Sequence, residues 1–287
     1  MDQLGHKIPF PDIDLTLTGI SIAGICTSMQ VREAGLCVDC GLLTPLGVRM
    51  PYLALTHGHV DHAGAVATYL GNRKLMRMGK STIFAPLVIV DQLREITRLW
   101  EEIQGRPYEN EFVGVEAGEF YEMGSRLSLR PFTTHHTVPS VGYTLVRQKH
   151  VLREDLVGLD GREIAKLSAA GEEVNTLVRE PLMTFTGDST PEGLANDAFA
   201  RSARVVVTEL SFLGEKERTT VETARMGMHT HIDELLPVME ILECDHVVFM
   251  HLSRKYTVEE AEKILKERIP EKWSGRWSLL HHEDRRA

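Results

Sequence analysis

The sequence predicts an α/β fold of two packed halves with a protruding insertion between them. Three observations carry that expectation. Short apolar strands and amphipathic helices alternate on both sides of the chain's middle. The middle, residues 147–181, is charged and glycine-punctuated. Histidines recur where strands end.

Leu15 to Ser21 alternates apolar and small polar residues, and the run from Gly35 to Gly41 is a short strand stopped by glycine. Cys37 and Cys40 are read as strand residues, because no second cysteine pair supports a redox or zinc site. Pro51 to Thr56 is a strand running into a histidine cluster. A helix follows from about Pro86 to Ile103, with Ile89, Leu93, Ile96, Trp100 and Ile103 at helical spacing and Pro86 at its start. Strands are expected over Arg126 to Phe132 and Val141 to Val146. The insertion carries at most a helical turn or two near Ala165 to Ala170. Strands resume at Leu182 to Phe185, Arg204 to Thr208 and His246 to Met250. Thr257 and Glu260 form a capping box that opens a last helix. No internal repeat is visible in the sequence.

The 287 residues suffice for one large domain or two small ones, and 43% are hydrophobic. No run of about eighteen apolar residues marks a membrane span, and the N-terminus lacks the pattern of a secretory signal. Four cysteines form no disulfide framework and suit a reducing cytosol, so a cytoplasmic protein is expected. The net charge of -9 disfavours a broadly basic nucleic-acid binder but leaves room for a local basic patch.

The chemistry is concentrated in Thr56-His57-Gly58-His59-Val60-Asp61-His62. Imidazole nitrogen and carboxylate oxygen suit a borderline cation such as Zn²⁺. In an extended segment His57 and His59 point the same way and can converge on one metal. A turn after His59 would swing Asp61 and His62 toward a second. This run is the signature of the metallo-β-lactamase superfamily, which the chain resembles. The resemblance implies an αββα sandwich and three further ligands: His135 or His136 after Phe132, Asp188 as the carboxylate shared by both metals, and His251 after Met250. It also places Asp39 where the superfamily carries an aspartate that orients a metal ligand. Two metals bridged in this way hold a hydroxide and clamp the attacking and leaving oxygens of a phosphoryl displacement.

Within the superfamily the chain is most similar to the tRNase Z family, in its short plant forms, from about Leu17 to the helix after Tyr256. The segment from His136 to Tyr143 resembles the family's histidine, Pro-Ser and Gly-Tyr motif. That match selects His136 and implies substrate contacts at Ser140 and Tyr143. Thr208 to Phe212 resembles the His-Glu-Ala-Thr-Phe segment, which places a catalytic glutamate at Glu209. The family's second catalytic histidine falls in Met228-His229-Thr230-His231. It implies His229 as proton donor to the leaving 3′ oxygen, oriented by Glu209, with His231 as a rival for the role. Asp61 joins Glu209 and His229 in the catalytic set. His251 to Tyr256 matches the family's ending, with Lys255 at its arginine position.

The segment from Leu152 to Leu167 matches the arm that grips the tRNA elbow. It implies phosphate contacts from Arg153, Arg162 and Lys166. The resemblance therefore implies one domain over 1–287 with an inserted arm at about 147–181. It further implies two Zn²⁺ with Mn²⁺ as an alternative, precursor tRNA as substrate, a homodimer in which one arm serves the other subunit's site, and no membrane. The chain departs from many bacterial members in lacking a Gly-Pro-rich arm tip, and it has Met-His-Thr-His where they have Gly-His-Ser-Thr. The competing function is hydrolysis of a small phosphodiester, or another metallo-hydrolase reaction, at the same site. A β-lactamase is disfavoured by the segment around Pro139.

Overall fold

A computed structural model describes residues 5–124 and 126–280. Residues 1–4 of the N-terminal stretch judged above for a signal lie outside the described residues.

The valine-rich and phenylalanine-rich runs form strands because both of their faces find apolar cover. Two seven-stranded sheets result. The first contains β1 (His6–Phe10), β2 (Leu15–Ile22), β3 (Cys26–Val31), β4 (Leu36–Val38), β5 (Tyr52–Ala54), β6 (Ser81–Pro86) and β7 (Asn110–Val115), in that spatial order. The second runs from β8 (Tyr121–Glu122) through β9 (Leu127–Thr133), β10 (Val141–Leu152), β11 (Asn175–Phe185), β12 (Val205–Glu209) and β13 (His246–Met250) to β14 (Trp277–Leu279). In each sheet the first four strands pair antiparallel and the fourth to seventh pair parallel. The two halves thus repeat one topology that the sequence does not display as a repeat.

Along β12, Val205 and Val207 face the core between the sheets while Val206 faces outward to the helices. On β13, Val248 and Met250 face inward and Val247 and Phe249 outward. On β5 and the residue after it, Ala54 faces the second sheet, while Leu53 and Leu55 pack against the first sheet's own helices. This alternation with both faces covered explains the continuous apolar runs.

The outer layers are α1 (Val60–Ala63), α2 (Val66–Leu75) and α3 (Val90–Gln104) on the first sheet. On the second half lie α4 (Gly161–Ala169), α5 (Glu192–Asn196), α6 (Ala198–Arg201), α7 (Val221–Gly227), α8 (Ile232–Glu240) and α9 (Val258–Arg268). The fold is the expected αββα sandwich. The Thr257 capping box forms as expected, with Glu260 N–H donating to Thr257 Oγ1 at 3.2 Å and Thr257 N–H to Glu260 Oε2 at 2.8 Å.

Three expectations need correction. Pro86 ends β6, and the helix begins at Val90 after a short 3-10 turn. The stripe on that helix divides: Ile89 and Leu93 pack against the core, while Ile96, Trp100 and Ile103 are exposed. Cys40 lies two residues beyond β4, because Asp39 turns the chain with a left-handed φ of 58°. The middle of the chain is more regular than its composition suggests. β10 and β11 pair from Arg147–Glu180 out to Leu152–Asn175 and carry α4 in their connection, with Asp160 as its N-cap.

Candidate active site

Functional side chains gather where strands end. Asp39 follows β4, Thr56 and His57 follow β5, His136 follows β9, Asp188 follows β11, Glu209 ends β12 and His251 follows β13. The carboxyl ends of parallel strands are a usual ligand position in α/β proteins. Close backbone approach also shapes the site. A Cβ on Gly41 would stand 1.7 Å from the Asp61 carbonyl oxygen, so only glycine lets the two segments meet.

The donors fall into two groups. His57 Nε2 and His136 Nε2 each lie 3.2 Å from His59 Nδ1. In the second group, His62 Nε2 is 3.2 Å from Asp188 Oδ1 and 3.8 Å from Asp61 Oδ2. His251 Nε2 is 3.0 Å from Asp188 Oδ2 and 3.7 Å from Asp61 Oδ2. Ligand atoms held ~2.0–2.1 Å from a tetrahedral cation stand ~3.4 Å apart, which matches both groups.

Hydrogen bonding explains why the ring nitrogens point inward. Thr56 donates its hydroxyl to Asp39 and accepts from His57 Nδ1–H at 3.0 Å. His62 Nδ1–H donates to Asp39 Oδ2 at 2.8 Å, and His136 Nδ1–H to the Met228 carbonyl at 3.2 Å. Each ring thereby turns Nε2 toward the cluster, as oriented metal ligands do. His62 Nε2, His251 Nε2 and Asp188 Oδ1 are buried without a hydrogen-bond partner. Buried polar atoms of this kind call for an occupant, and the donor set fits divalent cations.

The charges agree. Burial pushes His57 down to about 2, reinforced by His62, and burial also lowers His136, so both rings are neutral. Burial opposes charge on His62 and His251, but the carboxylates around them outweigh it together, Asp188 first, with Asp39 on His62 and Asp61 and Glu209 on His251. His62 is raised well above its usual range and His251 to about 10. Burial likewise works against an ionised Asp61, yet the neighbouring His251 and the charge of His62 hold it at about 2. Asp188 stays well below the usual carboxylate range because His251 and His62 outweigh its burial. In the second group protons occupy the place of a cation and would be exchanged for it.

Beside these groups, His229 Nδ1–H donates to Glu209 Oε1 at 2.7 Å. Glu209 is fully buried and also accepts from Ser211 Oγ at 2.6 Å and from Ser189 N–H at 2.5 Å. Burial is the largest single effect on His229 and lowers it, but the Glu209 charge, its hydrogen bond and the Asp188 charge together outweigh burial, so the ring keeps its proton above the ordinary histidine range.

Other expected residues fall elsewhere. His135 is exposed, whereas His136 turns inward. His231 caps α8, accepting from Asp233 N–H at 3.1 Å, and does not pair with Glu209. Tyr143 cannot contact substrate: it is 0% exposed in the core and its hydroxyl donates to the Leu55 carbonyl. Ser140 bonds Thr134 and bridges the His57 backbone. On the insertion, Arg153 is held by Asp155 and the Glu173 carbonyl. Arg162 and Lys166 make no ion pair among the described residues. Sequence reasoning missed Thr56, Ser189 and Ser211, whose roles come from where strand ends bring them.

A chloroplastic tRNase Z of Arabidopsis thaliana is 32% identical over 256 residues, covering 87% of this chain and 71% of that protein. The chain belongs to the tRNase Z family. A second Arabidopsis thaliana tRNase Z is 29% identical, with 86% and 88% of the two chains covered. Among solved structures, the human short-form tRNase Z superposes with a TM-score of 0.59 at 14% identity, over 92% of this chain and 95% of that one. The metallo-beta-lactamase fold protein YhfI from Bacillus subtilis gives 0.63 at 12% identity over the same shares. No family model matches the chain. Membership in the tRNase Z family makes this chain a metal-dependent hydrolase.

Proposed function

We propose that this protein is an endoribonuclease that removes the 3′ trailer from precursor tRNA, cutting after the discriminator base and leaving a 3′ hydroxyl. The observation that carries the reading is the Glu209–His229 pair standing against two groups of metal-type donors. Two zinc ions, or manganese in their place, would supply Lewis acidity and a nucleophilic water there. His57, His59 and His136 would hold one ion, and Asp61, His62, Asp188 and His251 the other. Asp61 is the most open member of its group, its side chain 13% exposed against 0–3% for the others, and so is the carboxylate suited to handle a water proton. His229 presents Nε2 to the leaving oxygen while Glu209 holds Nδ1.

Residues 147–181 form the tRNA-gripping arm within a single domain. Arg162 and Lys166 stand four apart on α4 and so share a face, uncommitted and exposed. Ser140, on the chain next to His57, serves at the substrate end. The reading places the protein in a reducing compartment, the cytoplasm, which four buried free cysteines support. Among the described residues no helix is long and apolar enough to cross a membrane.

Zinc-loaded protein is expected to cut a 3′-extended precursor tRNA once and to hydrolyse bis-(p-nitrophenyl) phosphate. Replacing 153–173 by a short glycine-serine turn should abolish the first activity and spare the second. Hydrolysis of the diester with no cut in the tRNA would overturn the tRNA assignment.

The reading includes a homodimer, supported by the outer side of α3. Ile96 is 54% exposed, Trp100 43% and Ile103 72%, and Leu75 of α2 lines the same cleft as Trp100. Contiguous apolar surface of this kind marks an association face. Trp100→Glu with Ile103→Lys should convert a dimer to a monomer by light scattering. A wild-type protein that is monomeric at micromolar concentration would sink the dimer.

A further inference from the structure

We propose that Ser211 is a positioning residue that keeps the metal-ligand histidine and the proton donor from competing for one carboxylate. The inference rests on the roles given above to His251, Glu209 and His229. β12 and β13 pair in parallel with Glu209 opposite Met250, so the residues just past the two strand ends, Ser211 and His251, meet side by side. Ser211 is buried, and its single hydroxyl lies 2.6 Å from Glu209 Oε1, 3.0 Å from His251 Nδ1 and 2.8 Å from the His251 carbonyl.

With Nε2 turned toward Asp188, His251 carries its hydrogen on Nδ1 and donates it to Ser211 Oγ. The hydroxyl hydrogen then goes to Glu209 Oε1, its nearest acceptor and the charged one, where charge-assisted bonds are stronger. That same oxygen accepts from His229 Nδ1 at 2.7 Å. Two histidines therefore converge on one carboxylate, one directly and one through the serine.

His251 Nδ1 lies only 3.6 Å from Glu209 Oε1. Glu209, His229 and His251 place their donor atoms within 4.8 Å of one another, close enough to form a cluster of their own. Without the hydroxyl, nothing separates His251 from that carboxylate. The ring would tilt toward Glu209, turning Nε2 away from Asp188 and taking from His229 the oxygen that orients it. One hydroxyl thus supports both halves of the site. Threonine would keep the hydroxyl in place; alanine or valine would not.

The test compares wild type, Ser211→Ala and Ser211→Thr as full chains. Zinc affinity is measured by chelator competition. At saturating zinc, kcat and KM are measured on a dinucleotide phosphodiester, whose alkoxide leaving group needs a proton, and on bis-(p-nitrophenyl) phosphate, whose leaving group needs little. Ser211→Ala is expected to weaken zinc about 10–100-fold, as loss of an outer hydrogen-bond partner does. It should also lower kcat on the dinucleotide about tenfold more than on the nitrophenyl diester, a fraction of what a proton donor contributes. KM should hold, and Ser211→Thr should restore zinc affinity and kcat together. Recovery of full dinucleotide kcat in Ser211→Ala at saturating zinc, an equal loss on both diesters, or a threonine variant as impaired as alanine would overturn the proposal. Neither diester depends on tRNA, so failure of wild type to cut precursor tRNA would refute the substrate assignment and leave this result to be read separately.

Discussion

Replacing His229 with alanine is expected to lower kcat on precursor tRNA by about 10²–10⁴-fold, the contribution of a positioned proton donor, with metal content unchanged. A ribose 3′ oxygen leaves poorly as an alkoxide, and His229 is the ring placed to protonate it. Its Nδ1 is committed to Glu209 at 2.7 Å, so Nε2 is the face available to substrate. The ring keeps partial exposure, with a side chain 25% accessible, while its partner carboxylate has none.

The pH dependence follows from the same pair. Burial lowers the His229 pKa, and the Glu209 charge and hydrogen bond with the Asp188 charge together raise it by more, so the acid form persists above the ordinary histidine range. Activity should fall as pH rises through that raised value. Glu209→Gln removes the largest raising charge and leaves burial opposed mainly by the more distant Asp188, so the alkaline limb should move to lower pH. A pH–rate profile on the dinucleotide substrate checks the direction. Loss of metal from His229→Ala, or an alkaline limb that does not move in Glu209→Gln, would make the Glu209, His229 and His251 cluster a ligand set instead of an acid pair.

The site was legible in the sequence to the extent that its residues are local. His57, His59, Asp61 and His62 lie in one run, and their residue types state the chemistry. The inner strands were legible for a related reason: Val205 to Val207 and Val247 to Met250 are covered on both faces, and burial of both faces leaves an uninterrupted apolar run. The α3 stripe shows the limit. Helical spacing reveals that Ile96, Trp100 and Ile103 share a side but not what covers that side, and in the folded chain these three are exposed while Ile89 and Leu93 pack against the core.

Tyr143 was misplaced because its motif neighbours reach the site, whereas strand alternation turns its own ring into the core. Thr56 and Ser211 lie inside recognisable motifs, but nothing in their residue types states the bridging role. A hydroxyl becomes a bridge only when chain pairing sets it between two polar partners, here Asp39 with His57 and Glu209 with His251. The duplicated strand scheme is invisible for a similar reason. Topology is kept by hydrogen-bond pairing and apolar pattern, which many unlike sequences satisfy.

Asp188→Ala is expected to lose bound metal by more than the about 10–100-fold that an outer hydrogen-bond partner is worth, and with it hydrolysis of every phosphodiester. Asp188 is 2% exposed, and its two oxygens face His62 Nε2 at 3.2 Å and His251 Nε2 at 3.0 Å. It is the buried negative charge against which those rings hold their protons and against which cations would be held. Alanine leaves Asp61 as the only carboxylate of the second group. The proton count reports the same change. In the wild type His62 and His251 are raised by Asp188, so zinc uptake near neutral pH should release protons from both. In the variant only Asp39 on one ring, and Asp61 and Glu209 on the other, still oppose burial, so the rings hold their protons more weakly and residual zinc uptake should release fewer. Zinc per chain after dialysis, and binding heats in buffers of different ionisation enthalpy, measure the two effects separately. Full zinc content and unchanged proton release in Asp188→Ala would remove this carboxylate from the metal centre.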